Sequence, residues 1–267
     1  MSGLVAHPQG TLVDRALLAL AEGPRTSLDL ATGVLGLANA GAAVAERLLV
    51  ALLGADPRVQ RLGNDRWALV PSASGAPPIE ACAFAVVDVE TTGVRAGADD
   101  RITEIAVVLV HGARRELVFE ALVNPERPIP PPVSAMTGIT DAMVRGAPPF
   151  GDVADQVLAA LAGRVFVAHN ARFDWSFVNA ELRRARDVAL GGPRLCTVRL
   201  ARRLVAGIAS CALGSLSEHF ALENGARHRA AGDALVTAHL LDRLLPLARD
   251  RGARTLDDLD RLQRTAA

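Results

Sequence analysis

The stretch Phe84-Ala-Val-Val-Asp-Val-Glu-Thr-Thr-Gly93 restricts the folds open to this chain more than any other feature. Phe84, Ala85, Val86, Val87 and Val89 form an apolar, largely β-branched run of the kind that fills a strand buried on both faces. Asp88 and Glu90 break the end of that run, and residues two apart on a strand point to the same face. Two carboxylates brought together at the edge of a core are costly unless a cation or an arginine neutralises them. Thr91, Thr92 and Gly93 then allow the chain to turn sharply away. An Asp-x-Glu pair by itself also occurs often by chance, so this stretch alone leaves open whether a cation, an arginine or neither meets the two acids.

The segments around it set the architecture. Strands are predicted at 83–89, 102–110 and 116–123, followed by a Pro-rich connection over 125–150 that is too long for a passive loop. A helix over 151–162 leads to the strand Arg164–His169, and helices are expected over 171–186, 196–205, 215–222 and 230–246. The tail Thr255-Leu-Asp-Asp-Leu-Asp-Arg-Leu-Gln-Arg264 reads as a last amphipathic helix capped by Thr255. Strands first, then mostly helices around one more strand, predict an α/β domain with a mixed sheet flanked by helices.

Residues 1–72 read as a separate, smaller domain. Thr11–Gly23, a segment from Thr26 and residues 40–54 have helical character. Two strand-like runs, Arg58–Leu62 and Arg66–Val70, are joined through Gly63-Asn64-Asp65 as a β-hairpin. Three helices and a hairpin resemble a winged-helix domain, which leaves two readings. One is nucleic-acid docking through the third helix; the other is packing against protein. The first 75 residues hold six arginines and six acids, so charge does not choose between them. Residues 73–80 have linker composition, the main domain is expected over 81–247, and 248–267 form a C-terminal helical tail.

The N-terminus lacks the basic start and apolar block of a signal peptide, and no apolar run is long enough to span a bilayer, so a cytoplasmic protein without membrane contact is expected. The three cysteines, Cys82, Cys196 and Cys211, have neither metal-site nor disulfide spacing and read as reduced thiols. Net charge is zero, with 29 basic and 29 acidic residues, so there is no global signature of nucleic-acid binding. All the basic residues are arginine and there is no tyrosine, which removes tyrosine as an acid, base or nucleophile.

Two later segments share the character of the first. In Val165–Val178 an apolar strand breaks at His169-Asn170, and Asp174 stands in the first turn of a helix between Phe173 and Trp175. An acid there also fits ordinary helix-dipole electrostatics. In Ala226–Leu241, His228 precedes a long helix and Asp233 lies inside it among Ala231, Gly232 and Ala234. The order of these motifs resembles the DEDDh 3′→5′ exonucleases, a DnaQ-like family with a ribonuclease H-like fold that includes the proofreading subunit of the bacterial replicative polymerase. The resemblance covers about residues 80–247. The segments Leu195–Leu204 and Met136–Thr140 also look like the family, with Thr137 standing where relatives usually carry histidine.

The resemblance implies two Mg²⁺ or Mn²⁺ ions held by Asp88, Glu90, Asp174 and Asp233. It also implies His228 as general base and a nucleic-acid substrate, single-stranded DNA 3′ ends before RNA, with a catalytically silent nucleic-acid-binding module as the alternative outside the enzymes. A tyrosine-dependent sister group is excluded by the absence of tyrosine. Thr91, Thr92, Thr137, His169, Asn170 and Phe173 become candidate substrate contacts. A DNA polymerase or repair assembly becomes the candidate partner. His7, His111, His219 and His239 lack ligand-like spacing.

Overall fold

The computed structural model describes residues 12–21, 23–56, 58–63, 65–70, 75–222 and 229–264. The chain divides into two compact units. One takes in the chain up to Cys82 together with His111–Arg114 and Arg254–Asp257; the other comprises Ala83–Val110, Arg115–Ala253 and the chain from Asp258.

In the first unit the elements run α1 (Leu12–Ala21), β1 (Arg25–Thr26), α2 (Ser27–Gly33), α3 (Ala42–Leu53), β2 (Val59–Leu62) and β3 (Arg66–Leu69). The hairpin β2–β3 gains β1 as a third strand, in the order β1-β3-β2 with antiparallel pairing throughout. Thr26 starts α2 with a reciprocal cap: its hydroxyl accepts from the Asp29 amide and the Asp29 carboxylate accepts from the Thr26 amide. Ala16, Leu20, Leu30, Leu49 and Leu53 close around Trp67. The Trp67 indole donates to Ser27 Oγ at 2.9 Å, and Ser27 Oγ donates in turn to Asp65 Oδ1 at 2.5 Å. Residues 77–80, within the stretch read as a linker, are tied down in this unit. The Ile79 amide donates to the Arg254 carbonyl, the Leu256 amide donates to the Pro77 carbonyl, and buried Glu80 accepts from Arg58 at 2.8 Å. Small, Pro-rich composition shows only that no regular period is present; it does not exclude such pairing.

The second unit is built on a five-stranded sheet with the order β6-β5-β4-β7-β8. Its strands are β4 (Phe84–Thr91), β5 (Ile102–His111), β6 (Arg114–Leu122), β7 (Val165–Ala168) and β8 (Arg194–Cys196). β4 is antiparallel to β5 and parallel to β7, and β7 is parallel to β8, so the sheet is mixed as expected. β4 is the middle strand, and its position accounts for the unbroken apolar run Phe84–Val87.

Among the described residues, seven helices belong to this region: α4 (Pro131–Thr137), α5 (Asp141–Val144), α6 (Phe150–Leu161), α7 (Ala171–Arg186), α8 (Thr197–Leu204), α9 (Leu213–His219) and α10 (Ala230–Asp250). The helix α11 (Leu256–Arg264) follows. Ala85, Val87 and Val89 pack with Phe150, Val157, Phe177 and Leu182 of α6 and α7. The alternate residues of β4, including Asp88 and Glu90, share the other face. Helix α10 packs on β4 and brings Asp233 to that face.

Several elements differ from expectation. The Pro-rich connection holds α4 and α5: Pro131 sits in the first turn of α4, where its missing N–H costs nothing, and Gly138 ends the helix at φ 71°. The helix expected over 196–205 is α8, Thr197–Leu204, and it is preceded by an unexpected strand three residues long, β8. Its exposed edge is served by the Gln263 side chain, which accepts from the Cys196 amide at 2.9 Å and donates to the Arg194 carbonyl at 2.8 Å. Helix α10 runs past the expected end at 246 to Asp250, with exposed Pro246 inside it.

Candidate active site

The acids at the end of β4 meet a third acid from α10. Oxygen atoms of Asp88, Glu90 and Asp233 all lie within 4.8 Å of one another, and all three residues are half-buried. The pleat of β4 places Asp88 and Glu90 on one face, and small neighbours on α10 (Ala230, Ala231, Gly232, Ala234) let Asp233 approach.

Asp174 arrives from the opposite direction. After β7 the chain turns at Asn170, whose φ of 78° is left-handed, a conformation that asparagine tolerates better than most residues. This reversal starts α7 at the end of the sheet with Asp174 in its first turn, only 3% exposed. The Val89 amide, between the two acids of β4, donates to Asp174 Oδ1 at 3.2 Å. Backbone bonding therefore anchors Asp174 to the same strand that carries Asp88 and Glu90.

The electrostatics are those of an anion cluster short of counter-charge. Burial, then the charges of Asp174, Glu90, Asp233 and Glu104, push the Asp88 carboxyl well above the usual carboxylate range. Burial, then Asp233 and Glu104, raise Glu90 to about 7, while Arg229 pulls it back. Asp174 is also raised, by burial first, against the lowering effect of its own amide and that of Val89. Three hard carboxylates within reach of one another form a donor set suited to Mg²⁺ or Mn²⁺ and poorly suited to softer metals.

The remaining sequence candidates fall into different settings. Thr92 holds the turn after β4: its amide donates to the Arg101 carbonyl at 2.8 Å and its hydroxyl accepts from the Arg101 amide at 3.0 Å. Thr91 donates to the Gly93 carbonyl at 2.5 Å. Thr137 is buried, with its hydroxyl donating to the Val133 carbonyl and accepting from the Ile139 amide, so it serves the end of α4. His169 is bonded through Nδ1 to Thr197 Oγ1 at 2.9 Å, and burial lowers it to about 4, which leaves it neutral at physiological pH. Asn170 is exposed at the start of α7. Phe173 packs on Phe177, with ring centroids 4.9 Å apart. His228 lies outside the described residues.

Sequence reasoning missed three acids in this region. Glu104 is fully buried on β5 directly opposite Glu90, and it binds Arg229 and the Ala230 amide. A lone acid in the apolar run Ile102–Val110 carried the same signal that marked Asp88. Glu181, two turns beyond Asp174 on α7, takes a bidentate bond from Arg101 at 2.7 and 3.1 Å and another from the Ile102 amide. Nothing in a helix rich in arginine distinguishes that acid. Asp100 accepts from the Arg95 amide and from Arg127 Nη1, and its carboxylate rests against Gly93 Cα. A Cβ on Gly93 would stand inside that carboxylate. Gly93→Ala should therefore lower stability by about 1–3 kcal/mol, the usual cost of overpacking, and displace the turn after Glu90. Urea denaturation checks this; a variant as stable as the wild type would show that Asp100 is free to move.

Acids from two helices converge on the two acids at the end of the central strand of an α/β sheet, a cluster that could hold a metal ion. The comparisons give the family. The RNase_T exonuclease family model matches residues 85–241, and the chain belongs to that family. It is 37% identical over 179 residues to the 3′-5′ exonuclease DinG of Bacillus subtilis, covering 67% of this chain and 19% of DinG. It is 32% identical over 162 residues to the DNA polymerase III subunit epsilon of Aquifex aeolicus, covering 61% of this chain and 80% of that protein. Among solved structures it matches exonuclease X in complex with 5′ overhanging duplex DNA, with a TM-score of 0.54 and 31% identity, covering 67% of this chain and 99% of that one. The chain spans only 27% of an epsilon-like protein of Rhodobacter capsulatus to which it is 37% identical. Among the described residues no helix is long and apolar enough to cross a membrane.

Proposed function

We propose that this chain is a 3′→5′ exonuclease that removes nucleoside 5′-monophosphates from the 3′ ends of single-stranded DNA, in proofreading or repair. The observation that carries this reading is the convergence of Asp88, Glu90 and Asp233 within 4.8 Å, in a chain whose family is an exonuclease family. These residues fit Mg²⁺ or Mn²⁺, which when bound supply positive charge to the attacking and leaving oxygens of an in-line displacement.

The protein's own residues have distinct tasks. Asp88, Glu90 and Asp233 hold the cations, with Asp174 completing the set from the α7 side. His228, whose imidazole is a side-chain type suited to proton transfer near neutral pH, takes the proton of the attacking water. The water oxygen bonds to phosphorus, the bond from phosphorus to the 3′ oxygen breaks, and that oxygen leaves with a proton from solvent. Asn170, exposed at the start of α7, is the proposed substrate contact, while Thr91 and Thr92 hold the turn that follows Glu90.

Similarity to the polymerase III epsilon subunit supports a polymerase as partner. The N-terminal unit is read as winged-helix-like, on its order of three helices and a hairpin, with nucleic-acid docking and packing against protein as its two candidate roles. Matched DNA and RNA oligomers, labelled at the 5′ end and incubated with Mn²⁺, test the substrate. Faster shortening of the DNA is expected. Preference for RNA would reassign the enzyme to RNA 3′-end trimming, and absence of cleavage on both would refute the enzymatic reading.

A further inference from the structure

Glu104 is a buried acid in a cluster that already holds too many, and its bonding shows what it does there. Both its oxygens engage Arg229: Nε at 3.0 and 3.1 Å, and Nη2 at 2.6 Å. Its second oxygen also accepts from the Ala230 amide at 2.8 Å. Ala230 is the first residue of α10 and Arg229 is the residue that caps it; the cap has no side-chain bond of its own. Glu104 therefore supplies from β5 the acceptor that the start of α10 lacks. Asp233 stands one turn further along that helix. Cross-strand pairing fixes Glu104 opposite Glu90, so the acceptor sits in register with the strand acids.

We infer that Glu104 is a positioning residue: through Arg229 and the Ala230 amide it locks the first turn of α10, and so fixes where Asp233 is presented to Asp88 and Glu90. Arg229 has the complementary task of giving buried Glu104 a bonded counter-charge. The fork geometry matters, because a guanidinium can hold both carboxylate oxygens while a lysine can hold them only as a point charge. The inference rests on the nuclease reading for the role of Asp233, while the clamp itself is a property of the fold.

The test uses the full chain and three variants, Arg229→Met, Arg229→Lys and Glu104→Gln, with two readouts. Hydrogen exchange at residues 230–234 without metal reads the clamp, and calorimetric titration with Mn²⁺ reads its consequence. Faster exchange in all three variants is expected. Mn²⁺ affinity should fall about 10- to 100-fold for Arg229→Met, the range typical of groups that orient metal ligands, with partial recovery in Arg229→Lys. Because Arg229→Met leaves Glu104 without its counter-charge and can lower overall stability, Glu104→Gln, which removes that charge, keeps the comparison readable. Unchanged exchange and Mn²⁺ affinity in Glu104→Gln and Arg229→Lys would overturn the inference. A wild type that takes up no Mn²⁺ while the variants still exchange faster would instead sink the nuclease reading and leave the clamp standing.

Discussion

Replacing Asp88 with asparagine should lower exonuclease activity by about 10³-fold or more, the scale on which a preorganised charge-stabilising group acts. The same change should leave the protein free of divalent cations as stable as the wild type, or more stable. The substitution keeps the shape of the side chain and removes the charge that Asp174, Glu90, Asp233 and Glu104 all oppose. An ordinary core strand would show the reverse, with stability lost and no function to lose. Thermal denaturation in EDTA and a rate measurement with Mn²⁺ give the two numbers. A variant that cleaves at the wild-type rate, or melts well below it in EDTA, would contradict the placement of Asp88 at the centre of a cation site.

The second large effect is a reversal of the pH dependence of stability by divalent cations. Asp88, Glu90 and Asp174 all have folded-state values above the usual carboxylate range, with Glu90 at about 7. Between the unfolded value, about 4.3 for a glutamate, and the folded one, the native state binds more protons than the unfolded state. Stability contributed by this cluster is therefore greatest at the acid end of that window and falls as pH rises through about 7. Cation binding needs the deprotonated carboxylates, so its stabilisation grows in the same direction. At a Mn²⁺ concentration about a hundred times the dissociation constant the gain is about 2.7 kcal/mol. That corresponds to a rise of about 5–10 °C in melting temperature for a chain of this size. Melting curves at pH 5.5, 7 and 8.5, with and without Mn²⁺, should diverge as pH rises. Parallel curves would mean that no cation is held between these acids.

The legible parts of the molecule are those where local chemistry decides. The middle strand could be read from Phe84–Val89 because burial on both faces leaves no alternation. Asp88 and Glu90 stood out because that burial made them anomalous. Asp174 and Asp233 were legible only as members of an ordered set, since an acid in the first turn of a helix is ordinary in isolation. β8 was hidden because three residues carry no period, and part of its bonding comes from Gln263, 67 positions beyond Cys196. α4 and α5 were hidden because prolines that mark a loop by composition also start helices. Glu181 and Arg101 pair across 80 positions, and no local pattern announces such a bond. Glu104 is a different case: it interrupts an apolar strand as Asp88 does, and the same argument applied to Ile102–Val110 reaches it.

The two tethers have a common logic. Glu181 ties α7, which carries Asp174, to the start of β5, and Glu104 on β5 ties down α10, which carries Asp233. Both helices that deliver acids to β4 are thus fastened to its antiparallel neighbour. Repulsion within the acid cluster would otherwise push those helices outward.

The measurement that bears most directly on this site follows a 5′-labelled single-stranded DNA oligomer with Mn²⁺, wild type beside Asp88→Asn. A ladder of products shortening stepwise from the 3′ end, with mononucleotide 5′-phosphates released, is expected for the wild type and should be absent for the variant. An intact oligomer with the wild type, or equal ladders from both proteins, would contradict a cation-dependent exonuclease built on Asp88, Glu90 and Asp233.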